Sequence, residues 1–251
     1  MQFRVPSLFF PPLEKKPMLP LQRLKRLFNK ACGDYALLQD GDHVLVAVSG
    51  GKDSMLLARL MAERSRLHKP AIQVAAAHVV MDNIPYAADE DYLRDYCHGF
   101  GIDLHVLHTR FDPTTDRRHT PCFLCSWYRR KALFEYAAEH GFNKVALGHH
   151  QDDILVTLLM NETFEGSFST MSPSMPMEHY PFTLIRPLCL IPEPLLAEVA
   201  EQEGIKKLTK TCPYEHVTRR TAMTDIFHQL ERLNPEARFS LWRAIKNDRH
   251  E

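Results

Sequence analysis

A glycine turn after the first predicted strand carries residues that can bind phosphate. Its glycines let the backbone approach a phosphate group closely, because they lack Cβ atoms. The free N–H groups and the positive end of the following helix then face the anion. A lysine and two serine hydroxyls add donors, and an aspartate can hold a magnesium ion on the phosphates. The six residues are Ser49, Gly50, Gly51, Lys52, Asp53 and Ser54.

A second polar motif follows another short apolar segment, at residues 148–153. Gly148 and His149 are candidate ligand contacts, because open α/β sheets bind ligands at the carboxyl ends of their strands. Asp152 is the candidate for metal binding or for chemistry at the acceptor oxygen, and Asp153 for support of that group. Acidic residues at a helix start also act as plain caps and dipole partners, and that interpretation stays open for both.

Three cysteines are candidate metal ligands. Cys122 and Cys125 form a C-x-x-C pair at the start of a predicted helix, where the thiol pKa is lowered and thiolates are favoured. Two sulfurs at this spacing can share one metal or form a disulfide. Cys212 lies in a loop before a later helix and is a candidate third ligand. The other cysteines are interpreted as small buried side chains: Cys32, Cys97 and Cys189.

Strands and helices alternate through the region that must position these residues. Apolar strands are predicted over residues 44–48, 72–80, 102–107 and 144–147, with helices between them. Continuous apolar strands separated by helices indicate a parallel sheet covered on both faces, which is a doubly wound α/β fold. We predict a long loop over residues 165–182, a last strand over 184–190 and three helices after it.

Composition limits the function further. The chain has 251 residues, with 31 Lys and Arg against 31 Asp and Glu, which excludes a uniformly basic surface but allows a local basic face. No apolar run reaches the roughly 18 residues that span a bilayer, and the first residues lack the order of a signal peptide. We therefore expect a cytoplasmic protein without a membrane partner, whose cysteines are thiols or ligands rather than disulfides.

Together these segments resemble the tRNA 2-thiocytidine synthetase family of PP-loop ATP pyrophosphatases. The phosphate turn resembles the S-G-G-x-D-S signature of that superfamily. The resemblance extends over segments that follow one another in the family's order: Ser49 to Ser54, Cys122 and Cys125 with Arg129 and Arg130, Lys144 to Asp153, Ile185 to Leu188, and Cys212.

The resemblance implies an adenine nucleotide alpha-hydrolase-like fold with appended C-terminal helices, and ATP with Mg²⁺ as cofactors. It implies that Cys122, Cys125 and Cys212 hold a [4Fe-4S] cluster whose open iron carries hydrosulfide. ATP would activate the C2 oxygen of a tRNA cytidine, and sulfur would displace AMP. By analogy with the fold, Ala77 and His78 lie against the adenine.

Five prolines in residues 1–20 predict an irregular arm, and helical apolar spacing predicts a helix within residues 21–41. We expect the ATP-binding domain over residues 42–190 and a helical region with the third cysteine over 191–251. By the resemblance, the partners would be tRNA and a sulfur donor, either sulfide or a cysteine desulfurase persulfide, with a homodimer as an option. The cysteines also allow a cluster-free thiolase using a persulfide, or a non-catalytic nucleotide-binding module with structural zinc.

Overall fold

The computed structural model describes residues 18–84, 89–112, 120–206 and 219–248. The strands are β1 (His43–Ala47), β2 (Gln73–Met81), β3 (Leu104–Thr109), β4 (Lys144–Ala146), β5 (Ser174–Pro176) and β6 (Thr183–Ile185). The helices are α1 (Pro20–Asp34), α2 (Lys52–Ser65), α3 (Glu90–Gly99), α4 (Pro121–Glu139), α5 (Gln151–Met160), α6 (Glu193–Gln202), α7 (Arg219–Leu233) and α8 (Ala237–Asp248). A π-helical turn, Asn161–Glu165, extends α5.

The strands form one six-stranded sheet in the order β3-β2-β1-β4-β6-β5. Every neighbouring pair is parallel except β5 and β6, which are antiparallel. The chain builds outward from β1 to β3 on one side and then returns to place β4 on the other side of β1. This reversal opens a crevice between the carboxyl ends of β1 and β4, which is where doubly wound sheets bind ligands.

Helices cover both faces of the sheet, so the predicted doubly wound fold is confirmed. On one face α1, α2, α3 and α6 pack over β1 and β2 in the largest apolar cluster. On the other face, α4 buries Leu133, Phe134 and Ala137 against the sheet. Strand β1 is buried on both faces, which explains its uninterrupted apolar sequence.

The C-terminal helices pack on α5 rather than on the sheet. Met223 and Phe227 of α7 and Trp242 and Ile245 of α8 form an apolar cluster with α5. Residues 219–248 therefore fix the helix that begins with the second polar motif. Among the described helices none is both long and apolar enough to cross a membrane.

The predicted loop and last strand were partly wrong. Residues 165–182 contain β5, an edge strand whose Pro176 is tolerated because an edge needs fewer ladder donors. The strand predicted over 184–190 ends at Ile185, because Pro187 follows and the chain turns with a hydrogen bond from the Cys189 amide to the Arg186 carbonyl. Most of the predicted arm, residues 1–17, lies outside the described residues.

Candidate active site

The phosphate turn is organised around the buried hydroxyl of Ser54. Its Oγ donates to the Gly51 carbonyl at 2.9 Å and accepts from the Ser49 amide at 3.1 Å. Gly50 has a φ of +84°, a left-handed conformation that favours glycine. Gly51 then caps α2 with extended backbone. The turn therefore keeps its shape through contacts among residues that are neighbours in the sequence.

Gly148 brings the second motif against this turn. A Cβ atom at Gly148 would lie 3.2 Å from the Ser54 amide nitrogen and 3.3 Å from its Cα. Those atoms are backbone at the start of α2 and cannot rotate away, so only glycine allows this close approach. The two predicted motifs meet in the crevice between β1 and β4.

Lys52 lies between two carboxylates. Its Nζ is 3.0 Å from Oδ1 of Asp53 and 3.0 Å from Oε1 of Glu193, the first residue of α6. Burial opposes the charge, but both carboxylates outweigh it and raise the pKa of the Lys52 ammonium. The lysine is charged and directed to the site where phosphates are expected.

A cavity of about 240 Å³ opens beside the turn. It is lined by Ala77, His78 and Val79 of β2, where the adenine is expected, and by Arg129 and Arg130 of α4. Nδ1 of His78 lies 2.7 Å from the Val48 carbonyl and must donate to it. Burial lowers the pKa of His78, so its ring is a neutral wall of the cavity.

His149 lines the same cavity. Burial lowers its pKa to about 4, and Arg186 and Arg220 add to the effect against the opposing charge of Asp153. The imidazole is therefore neutral near pH 7 and adds no positive charge to the cavity.

Asp152 is buried and engaged on both oxygens. Arg238 of α8 donates to it through two nitrogens, at 2.6 and 2.8 Å, and the Glu193 amide donates to Oδ2 at 2.8 Å. Burial opposes the charged carboxylate, but these bonds outweigh burial and lower the pKa of Asp152. The contacts tie the start of α5 to α6 and α8; a role in metal or acceptor chemistry stays a prediction.

Asp153 is also held in place. Oδ2 accepts from the His150 amide at 3.0 Å, which caps α5, and Oδ1 accepts from Nη2 of Arg220 at 2.7 Å. Its predicted supporting role is compatible with these contacts. Arg220 thereby joins α7 to the start of α5.

The cysteine pair occupies the first turn of α4. Pro121 starts the helix, and the Thr120 hydroxyl accepts the Phe123 amide at 3.3 Å. Cys122 is exposed, whereas Cys125 is half-buried against the apolar cluster that includes Met81 at the end of β2. The pair therefore lies at the same edge of the sheet as the phosphate turn. Cys212 lies outside the described residues.

The outer face of α4 combines aromatic and basic side chains. Phe123 and Trp127 are 49% and 45% exposed, and Nζ of Lys131 lies 6.0 Å from the Trp127 ring centroid. Arg129 and Arg130 instead line the cavity beside the phosphate turn. Four further basic residues, at positions 117, 118, 207 and 210, lie outside the described residues.

Sequence patterns did not indicate the charged residues that support the site. Glu193 and Arg238 are contributed by helices far along the chain, and neither stands in a distinctive motif. Arg186 lies in the segment from Ile185 to Leu188 that resembles the family, and no chemical motif includes it. Its guanidinium is buried, donates to the Ser172 carbonyl, and has no carboxylate partner among the described residues. Such a cation suits an anionic ligand.

Comparisons with known proteins agree with this geometry. A family model described as a PP-loop domain matches residues 20–225. The chain is 35% identical over 236 residues to the tRNA-cytidine(32) 2-sulfurtransferase of Pelobacter propionicus, covering 91% of this chain and 87% of that protein. The protein of the same name from Citrifermentans bemidjiense is 34% identical over 233 residues, covering 90% of each chain.

A solved structure is similar as well. The U34-tRNA thiolase NcsA from Methanococcus maripaludis, with its [4Fe-4S] cluster, has a TM-score of 0.74 and 27% identity, covering 91% of this chain and 78% of that chain. The likeness therefore includes both the nucleotide-binding region and most of the helices that follow it.

Proposed function

The chain belongs to the tRNA 2-thiocytidine synthetase family of PP-loop ATP pyrophosphatases, and we propose that it converts a tRNA cytidine to 2-thiocytidine. It is an ATP-dependent tRNA sulfurtransferase that uses a [4Fe-4S] cluster. The position named for the curated relatives, cytidine 32, is the proposed target. We place the reaction in the cytoplasm, and a homodimer stays a prediction.

The reaction needs activation before substitution. The C2 oxygen of the base attacks the α-phosphate of ATP, and pyrophosphate leaves. Hydrosulfide then attacks C2, AMP leaves with the original oxygen, and the hydrosulfide proton is released. An oxo group is a poor leaving group until it is adenylated, so the nucleotide and the sulfur must reach the same base.

The chain's residues divide these tasks. The phosphate turn binds the phosphates through its backbone amides and Lys52, and Asp53 is the proposed magnesium ligand. Ala77 and His78 bound the adenine side of the cavity. The contacts of Asp152 favour positioning of α5 and α6 as its main role, with Asp153 supporting the same helix start.

The position of the cysteine pair, on the same helix that lines the cavity, is the single observation that supports sulfur transfer most strongly. The first turn of α4 holds Cys122 and Cys125, and the turns after it contribute Arg129 and Arg130 to the nucleotide cavity. Thiolate donors at a helix start suit an iron–sulfur cluster. Together with Cys212 they would hold it, and the cluster supplies an open iron for sulfide. The sulfur source is proposed to be sulfide, or a cysteine desulfurase persulfide whose outer sulfur is reduced to sulfide by a two-electron donor.

The exposed face of α4 is proposed to contact the RNA. Unpaired bases of an anticodon loop stack on aromatic rings, and cations beside the rings attract the phosphates. Trp127 and Lys131 have these properties, and their spacing of four residues puts them on one face of α4. A base bound there would lie beside the helix that also borders the nucleotide.

Mass spectrometry of tRNA nucleosides from a deletion strain tests the proposed function. We expect 2-thiocytidine to disappear and to return with the wild-type gene. A gene with Asp53→Ala should not restore it, whereas Asp40→Ala, at an exposed residue before β1, should. Loss of a thiolated uridine instead would favour the base named for the solved relative and contradict the cytidine assignment.

A further inference from the structure

Glu193 contacts the phosphate-turn lysine although no motif includes it. Its Oε1 lies 3.0 Å from Nζ of Lys52, on the ammonium that Asp53 also contacts. A triphosphate bound by this lysine would bring further negative charge towards the two carboxylates. The Glu193 carboxylate and a phosphate are both attracted to the same ammonium, and they repel each other. The carboxylate therefore competes with phosphate for Lys52.

The backbone of Glu193 is anchored, so its carboxylate stays within reach of Lys52. Its amide donates to Oδ2 of buried Asp152 at 2.8 Å, and Arg238 holds both oxygens of that aspartate. The Gln151 amide also donates to the Ile191 carbonyl at 3.0 Å, two residues before Glu193. The start of α6 is therefore fixed relative to α5 and α8, whereas the Glu193 side chain is partly exposed and can rotate.

We propose that Glu193 is a positioning residue for Lys52. Its carboxylate holds the ammonium before the nucleotide binds, releases it to the phosphates of ATP, and accepts it again when pyrophosphate leaves. This inference rests on the ATP dependence of the proposed function. It means that Glu193 weakens phosphate binding and favours product release, although it lies within the site.

A purely structural role makes a different prediction. An acidic residue in the first turn of a helix interacts favourably with the helix dipole. If Glu193 served α6 alone, its replacement would change stability but leave the affinity for phosphates unchanged. Nucleotide affinity therefore separates the two roles.

Calorimetric titration of the anaerobic holoenzyme provides the test. Glu193→Gln removes the charge but keeps the side-chain size and the amide that binds Asp152. With magnesium chelated, we expect it to bind ATP and inorganic pyrophosphate about fivefold more tightly, as for loss of a partly exposed competing ion pair. Glu198→Gln, at an exposed position of the same helix, is the matched control and should match the wild type. In turnover, Glu193→Gln should lower KM for ATP without raising kcat.

Two results would overturn the proposal. Unchanged or weaker binding by Glu193→Gln would show that its carboxylate does not compete for Lys52. An equal gain of affinity in a Lys52→Met background would show that the effect does not pass through that lysine. Failure of the wild-type holoenzyme to bind ATP at all would instead contradict the proposed function, so the two failures are distinguishable.

Discussion

The phosphate turn and the cysteine turn lie at the same edge of the sheet but are stabilised differently. In the phosphate turn, the Ser54 hydroxyl bonds two neighbours, and Gly148 packs directly on the backbone. In the cysteine turn, Cys122 is exposed and Cys125 is half-buried. Their proposed third partner, Cys212, is distant in the sequence.

The difference indicates how each half of the site forms. Hydrogen bonds within a few residues organise the phosphate turn before any ligand binds. The proposed cluster site must join distant parts of the chain, and metal binding itself supplies much of the energy in such sites. We therefore expect nucleotide binding and cluster retention to fail separately.

The largest expected effect comes from the cysteine turn. Cys125→Ser should lose the cluster and reduce thiolation by more than about 100-fold, because a hydroxyl is a poor iron ligand. ATP affinity should stay within about twofold, since the phosphate turn does not depend on this sulfur. Iron content and titration with ATP measure the two effects. Cys32→Ser is the control, and cluster loss in that variant would show that the effect is not specific.

In the nucleotide half of the site, the largest effect on the free energy of unfolding should come from replacing Arg238. Arg238→Met leaves the Asp152 carboxylate buried without its guanidinium, which typically costs about 3 kcal/mol of unfolding free energy. Urea denaturation measures the loss. Arg243→Met, at an exposed position of α8, should change stability by less than about 0.5 kcal/mol. Equal stability of the two variants would contradict the anchoring role of α8.

The sequence predicted the motifs better than it predicted their supports. Gly50, Gly51 and Lys52 have a spacing that only a few functions require, and the apolar strands before them indicate where they lie. Arg238 and Glu193 could not be assigned in this way, because ion pairs between helices depend on tertiary packing rather than on local spacing. The short strand β5 was missed because an edge pairing of three residues leaves almost no periodic pattern.

A smaller effect is expected on tRNA affinity, and it should occur without a change in nucleotide binding or cluster retention. Trp127→Ala should weaken tRNA binding about fivefold, near the lower end for loss of one stacked base, and leave ATP affinity unchanged. Phe239→Ala removes an aromatic ring that is 62% exposed on α8 and serves as the control. Equal tRNA affinities of the two variants, measured by filter binding, would remove α4 from the RNA contact.

The smallest expected effect is on the pH dependence of the unfolding free energy, and it comes from His149, which lines the cavity beside the phosphate turn. Burial lowers the pKa of His149 from 6.5 to about 4, so the unfolded chain takes up this proton at a higher pH than the folded chain. Because of this group, the unfolding free energy should fall by about 1 kcal/mol for each unit by which the pH is lowered from 6.5 towards 4. His149→Gln should reduce the slope of unfolding free energy against pH, while buried His78 keeps a residual slope. An unchanged slope would contradict the assigned burial of His149.

The most direct test is to measure iron content and ATP affinity on the same anaerobic samples of two variants. Cys212→Ser should lose iron from about four per chain and bind ATP as the wild type does. Lys52→Met should keep its iron and lose affinity for ATP. If either substitution abolished both properties in a folded protein, this would contradict the independence of the nucleotide site and the cluster site.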